Sequence, residues 1–159
     1  MREILKILES DSRLSPEEIA TMTGKTEDEV RRVIEECERK GIIRRYKTSI
    51  DWEKAGEQQV FAFIDVKVSP ERGVGFDDIA ERIYRYPEVH SVYLVSGTHD
   101  LRVVVSGTNM KEVAFFVAEK LAPAPGVRST STSFVLKSYK MEGILLGEGP
   151  DDHRLAVSP

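Results

Sequence analysis

Two helix-start signals, eleven residues apart, constrain this chain more than any other feature of its sequence. The segment Ser15–Glu18 (SPEE) combines a hydroxyl N-cap, a proline at the first helical position and a glutamate three residues after the cap. The segment Thr26–Glu29 (TEDE) repeats the cap and its glutamate. Gly24 permits a tight turn between them, and Ala20 and Val30 offer small and aliphatic surfaces where two helices can pack. The pattern predicts a helix-turn-helix.

Apolar residues at helical spacing predict a three-helix unit around this motif. A helix before the pair contributes Ile4, Leu5 and Leu8, and the second helix of the pair has an apolar face. That face consists of Val30, Val33, Ile34 and Cys37. Cys37 is therefore expected as a small core residue rather than a sensor thiol. Two capped helices joined by a turn also occur in bundles that bind no nucleic acid, so the motif alone leaves that alternative open.

The opposite face of the second helix offers side chains that suit DNA. Arginine pairs with guanine edges and with phosphate, which makes Arg31 and Arg32 the first candidates. A carboxylate can accept from cytosine, so Glu27 is either a base reader or an acid stabilised by the helix dipole. Cations in the next segment, predicted to be extended over Ile42–Asp51, either track the DNA backbone or guard a solvated edge strand. The candidate DNA-binding residues are Thr26, Glu27, Arg31, Arg32, Arg44, Arg45 and Lys47.

The charge balance excludes binding to nucleic acid through bulk charge. The net charge of the 159-residue chain is −4, and residues 1–50 contain eleven basic and eleven acidic residues. A protein that coats nucleic acid is expected to be basic. DNA binding by this chain therefore has to depend on local charge placement and on several copies that act together.

After residue 59 the hydrophobic period changes from that of helices to that of strands. Strands are predicted over Val60–Val68, Val89–Val95, Leu101–Val105 and Val127–Tyr139, and helices over Phe76–Tyr86 and Met110–Leu121. The order β-α-β-β-α-β is that of a ferredoxin-like sandwich. We therefore expect an α+β chain in four parts. They are a winged-helix-like helix-turn-helix domain over 1–50, a linker over 51–59, a ferredoxin-like domain over 60–140 and a tail over 141–159.

The predicted strands are apolar on both faces. Ala62 and Ile64 lie on one face of the first strand, and Phe61 and Phe63 lie on the other. Helices cover only one face of such a sheet, so the second face would be an exposed apolar patch in a monomer. We therefore expect a homodimer that buries sheet against sheet.

Several kinds of site are not supported by the sequence. The single cysteine excludes an internal disulfide and a cysteine-based zinc site, and His90 and His99 lack a clear third metal ligand. No Ser-His-Asp order, phosphate-binding glycine loop or dinucleotide motif is present. The sequence also has no signal peptide and no apolar run of membrane-spanning length. We therefore expect a cytoplasmic protein that is not an enzyme and uses no metal or cofactor.

Four short segments match the order and spacing of one known family. They are the first helix and its arginine-led turn at Ile4–Ser15, the helix exit at Glu38–Tyr46, the glycine-to-aspartate turn at Val95–Leu101 and the final strand at Gly126–Leu136. Each segment alone is modest, but their order is specific. Over about residues 2–140 the chain resembles the Lrp/AsnC family, the feast/famine regulators of bacteria and archaea.

The resemblance implies DNA binding, dimers that assemble into octamers, and amino acids or related metabolites as effectors. It places the effector beside the glycine-to-aspartate turn, where backbone amides would hold an α-carboxylate and Asp100 would receive an α-amino group. The implied effector-binding residues are Gly97, Thr98, His99, Asp100, Ser129, Thr130 and Thr132. Without the resemblance, the needs of the turn itself are the favoured explanation of Gly97 and Asp100, and with it the two explanations are even.

The second helix of the motif departs from the family pattern. Acidic residues occupy its start at Glu27–Glu29, where the family usually has small hydroxylated residues, and Val33 and Glu36 replace common arginines. Two alternatives on the same frame follow from these departures. One is a metabolite-sensing module that does not bind DNA, and the other is an enzyme similar to the siroheme decarboxylases. Residues 89–105 do not show the histidine and arginine pattern of those enzymes convincingly, so the sequence favours a transcriptional regulator.

Overall fold

The computed structural model describes residues 1–69 and 75–146. The chain divides into two compact units, of which the first is Met1–Ile50 and the second begins at Asp51. Most of the predicted loop 71–75 and the apolar patch 155–157 of the predicted tail lie outside the described residues. None of the helices in the described residues is long and apolar enough to cross a membrane.

The first unit consists of three helices. They are α1 (Arg2–Ser10), α2 (Pro16–Thr23) and α3 (Glu27–Arg39). Both predicted capping boxes are present: the Glu18 amide donates to Ser15 Oγ at 3.2 Å, and the Ser15 amide donates to Glu18 Oε2 at 2.7 Å. Thr26 and Glu29 make the same reciprocal bonds at the start of α3. These caps satisfy amides that a helix cannot satisfy internally, which is why both helices begin where the sequence predicts.

The core of the first unit lies where the three helices meet. Its buried residues are Ile4, Leu8, Ile19, Ala20 and Val30, with Ile7, Leu14, Val33, Ile34 and Ile43 packed against them. Gly24 adopts a φ of 65° between α2 and α3, a left-handed conformation that glycine tolerates best. Cys37 is only 1% exposed, which agrees with its expected place on the apolar face of α3.

The segment after α3 was expected to be extended, and the structure shows no β-ladder along it. Residues 42–50 contain no strand. The amides of Ile42 and Ile43 both donate to the Cys37 carbonyl, at 2.8 and 3.1 Å. These two amides satisfy a carbonyl at the end of α3 instead of taking part in a β-ladder. The left-handed conformation of Gly41 (φ 66°) allows the chain to reverse direction there.

The second unit is an antiparallel sheet covered by helices. Its strands are β1 (Val60–Val68), β2 (Val89–Leu94), β3 (Leu101–Gly107) and β4 (Val127–Phe134), hydrogen-bonded in the order β2-β3-β1-β4. The helices are α4 (Phe76–Tyr84) and α5 (Met110–Phe116). The β-α-β-β-α-β order with this strand arrangement confirms the ferredoxin-like sandwich.

The core of the second unit lies between the sheet and its helices. Its buried residues come from alternate positions of β1 and β3 and from the inner faces of α4 and α5, as strand and helix periods require, and Leu121 adds to them after α5. They are Ala62, Ile64, Val66, Val68, Ile79, Ile83, Leu101, Val103, Val105, Val113, Phe116 and Leu121.

Two predicted boundaries differ from the structure. The helix predicted to continue from Met110 to Leu121 changes at Val117 into a π-helical turn. The last strand ends at Phe134 rather than Tyr139, and Phe134 pairs with Ala62 near the start of β1. A short hairpin follows, formed by β5 (Lys140–Met141) and β6 (Ile144–Leu145).

Candidate DNA-binding surface and effector turn

Helix α3 presents a mixed charged face to solvent. Arg31 Nε donates to Glu27 Oε1 at 2.9 Å, and Arg31 Nη2 contacts the same oxygen. The two side chains are 55% and 44% exposed, so this is a surface ion pair between residues one helical turn apart. Arg32 Nε donates to the Asp28 carbonyl at 3.2 Å, which aligns its side chain along the helix. The structure thus places the predicted arginines together on the exposed side of α3.

The acidic residues of α3 have different partners. Glu29 is engaged in the capping box, and its pKa is lowered chiefly because the Thr26 amide donates to its carboxylate. Glu36 accepts from Lys40 Nζ at 2.6 Å, and this hydrogen bond lowers its pKa too. Both contacts are structural. Glu27 is the acidic residue of α3 paired with an arginine on the same exposed face.

A side-chain hydrogen bond joins the end of α3 to the segment that follows it. Tyr46 Oη donates to Glu38 Oε1 at 2.8 Å, and burial together with this carboxylate raises the pKa of Tyr46. The sequence pattern did not predict this bond, although both residues lie in the segment that resembles the family. Arg44 and Arg45 are exposed, and within the described residues their guanidinium groups have no hydrogen bond or ion pair. Lys47 is exposed beside them.

The predicted effector turn is a tight connection between β2 and β3. Gly97 has a φ of 143°, so the expected need for glycine is confirmed. The Val95 amide donates to the Asp100 carbonyl at 2.9 Å and closes the turn. Within the described residues, the amides of Gly97, Thr98 and His99 donate to no acceptor. Three amides without acceptors in one turn suit the binding of an anion.

Asp100 joins this turn to β1. Its Oδ2 accepts from the Val68 amide at 3.0 Å, and its Oδ1 accepts from Lys67 Nζ at 3.2 Å. The pKa of Asp100 lies below its ordinary value, chiefly because of the Val68 amide and further because of Lys67. Lys67 Nζ also donates to the Thr98 carbonyl at 3.2 Å. Lys67 is therefore part of the site, although alternation along β1 marked it only as a polar strand residue.

The hydroxyl residues of β4 do not all reach this turn. Ser129 pairs with Lys67 and lies on the open face of the sheet, near Asp100. Thr130 pairs with Val66 and Thr132 with Ile64, which places both on the helix-covered face. Within a single chain Ser129 and the two threonines therefore lie on different faces of the sheet, because successive strand residues point to opposite faces.

The open face of the sheet is less apolar than the sequence suggested. Phe63 is 43% exposed and Tyr93 is 55% exposed, so an apolar patch exists. Asp65 and Arg102 interrupt it: Arg102 Nε and Nη2 donate to the two carboxylate oxygens at 2.8 and 3.0 Å. The expectation of a wholly apolar second face is therefore wrong, because a cross-strand ion pair occupies its middle.

Comparison with known proteins identifies the family to which this fold belongs. The Lrp/AsnC ligand binding domain matches residues 61–145, and the winged helix-turn-helix DNA-binding domain matches residues 1–44. The HTH-type transcriptional regulator YugG of Bacillus subtilis, itself uncharacterized, is 51% identical over 158 residues, which are 99% of this chain and 95% of that protein. The regulator FL11 of Pyrococcus horikoshii is 32% identical over 139 residues, 87% of this chain and 89% of its own.

Solved structures agree with the sequence relatives. A transcriptional regulator from Neisseria meningitidis, in complex with L-methionine, superposes with a TM-score of 0.73 at 27% identity. The match covers 87% of this chain and 89% of that one. The fold and the exposed helix-turn-helix therefore define a DNA-binding transcriptional regulator. The chain belongs to the Lrp/AsnC family.

Proposed function

We propose that α3 enters the major groove of an operator and that the predicted cations hold it there. In helix-turn-helix proteins the second helix of the motif contacts base edges while neighbouring cations contact phosphate. Arg31 and Arg32 are exposed on α3, and Arg44 and Arg45 follow it without partners in the described chain. This side-by-side placement of exposed arginines is the observation that carries the proposal. The regulator acts in the cytoplasm, where it reaches both DNA and free metabolites.

The proposal also includes assembly, since the first unit has no excess positive charge. Eleven basic and eleven acidic residues in 1–50 leave little attraction to phosphate per copy. Linked copies raise the effective concentration of the second contact and so increase the total affinity. The exposed patch of Phe63 and Tyr93 on the open sheet face supports a homodimer formed through that face. Octamers follow from the family resemblance.

The proposed effector is an amino acid. The related Neisseria meningitidis regulator was solved with L-methionine, and the turn at Gly97–Asp100 presents three amides without acceptors in the described chain. These amides suit an α-carboxylate, while Asp100 is held by Val68 and Lys67. Asp100 therefore positions the turn, and its remaining lone pairs face the α-amino group of the effector. Ser129 lies on the same open face as Lys67.

The proposed DNA contacts are tested by combining Arg31→Ala with Arg32→Ala in the full chain. Binding to operator fragments is titrated at several salt concentrations. Loss of the two cations weakens operator binding, and the slope of log affinity against log salt falls by about 0.9 for each of them that contacts phosphate. The control removes two exposed arginines elsewhere, by combining Arg82→Ala on α4 with Arg85→Ala at its C-cap. Equal affinities and slopes for the two double variants, with both folded by circular dichroism, would show that α3 does not contact DNA.

A further inference from the structure

We propose that Glu27 is a specificity-determining residue that selects cytosine in the operator, with Arg31 beside it on the neighbouring guanine. The inference rests on the proposed function, because it requires α3 to lie in the major groove. It gives a role to an acidic residue that would otherwise weaken binding to a polyanion.

The position of Glu27 suits a base contact. It is the first residue of α3, where helix-turn-helix proteins reach base edges. Its Oε1 accepts both contacts from Arg31, so within the described residues its Oε2 is without a hydrogen-bond partner. Glu29, two residues on, is committed to the capping box with Thr26. Glu27 is thus available for a ligand in a way that Glu29 is not.

The pair with Arg31 makes a carboxylate tolerable at this place. An unpaired carboxylate in the groove would be repelled by phosphates on both sides. The Arg31 guanidinium neutralises it at hydrogen-bond distance, and its own remaining N–H groups stay available for a second acceptor. Because both side chains are about half exposed, the pair can adjust to DNA with little loss of stability.

Base chemistry then selects the partner. In the major groove guanine presents two acceptors, thymine presents an acceptor and a methyl group, and adenine places an acceptor beside its donor. Cytosine presents an amino donor in the major groove. A carboxylate can therefore accept a hydrogen bond from cytosine without facing an acceptor of the same base. Arginine is the usual partner of guanine. A Glu27–Arg31 pair therefore reads two neighbouring positions, one cytosine and one guanine.

The test is selection of binding sites from a random double-stranded DNA pool by the wild type, Glu27→Gln and Asp28→Asn, all as full chains. Asp28→Asn is the matched control, since it removes the same charge from the same exposed first turn but not the partner of Arg31. Both substitutions should raise affinity for random DNA equally, because each removes one negative charge. The base preferences separate them.

We expect wild type and Asp28→Asn to select the same motif, with cytosine favoured about fivefold or more at one position. Glu27→Gln should lose that preference and gain adenine there, because a glutamine amide pairs with both adenine groups. An unchanged motif in Glu27→Gln would overturn the inference while leaving the proposed function intact. If the wild type selects no motif at all, sequence-specific binding itself fails, and the inference fails with it.

Discussion

Gly126 is the position where one added methyl group should disturb the second unit most. It lies just before β4 with a φ of 87°, and its carbonyl accepts from the Ser69 amide at 2.8 Å. A Cβ at this place would lie 2.6 Å from Ile79 Cδ1 and 3.1 Å from Ile79 Cγ1. Ile79 is 1% exposed and belongs to the main core, so it can yield only by repacking its neighbours.

Two separate costs follow for Gly126→Ala. A side chain at positive φ costs about 1–2 kcal/mol, and overpacking a closed core costs about 1–3 kcal/mol. We therefore expect the free energy of unfolding to fall by about 2–5 kcal/mol, a large part of the roughly 5–15 kcal/mol typical of a domain. The effector turn and β4 share this unit, so ligand binding should weaken only as far as the folded fraction falls.

The assay is urea unfolding of the full chain, followed by the fluorescence of its single tryptophan, Trp52, which belongs to the second unit. Gly143→Ala is the matched control, because Gly143 has the same φ of 87° but nothing within 4 Å of its added Cβ. Gly126→Ala should be the more destabilising by about 1–3 kcal/mol. Ile79→Val should recover part of the difference by removing Cδ1. Equal losses for the two glycine substitutions would refute the steric argument.

Two further predictions concern assembly and the effector. Phe63→Lys should reduce the sedimentation coefficient of the full chain by breaking the proposed dimer. Phe115→Lys, at a comparably exposed phenylalanine on α5, should leave it unchanged, and equal effects would argue against the sheet face. In calorimetry, L-methionine should bind the wild type and the control Asp77→Ala more tightly than Asp100→Ala, whereas its methyl ester, which lacks the carboxylate, should not bind. Binding of the ester would exclude the turn amides as the anchor.

The elements that the sequence predicted well depend on local chemistry. A capping box involves residues three apart, so Ser15 with Glu18 and Thr26 with Glu29 were recognisable without any tertiary structure. The strands and helices of the second unit were likewise visible as changes in apolar period. The same holds for Gly97, because a turn that requires positive φ selects glycine.

The parts that the sequence predicted poorly depend on partners distant along the chain. β4 ends at Phe134, which pairs with Ala62 near the start of β1, and no residue near Phe134 signals this end. The contact of Lys67 with Asp100 joins residues 33 apart, so alternation along β1 gave no reason to assign Lys67 to the effector turn. Ser129 and Thr130 were grouped by the family resemblance, whereas the pleat separates them onto opposite faces.

The pairing of charges, more than their number, decides how the proposed regulator can work. In the first unit Glu27 holds Arg31 and Glu36 holds Lys40, whereas Arg32, Arg44 and Arg45 are among the exposed cations without an ion pair in the described chain. Because the ion pairs offset part of the positive charge, each copy has only weak attraction to phosphate, and affinity then depends on how many copies are joined. An effector that binds one state of the assembly better than another would therefore change DNA binding without contacting α3. Assembly is thus the step through which an amino acid could control the operator.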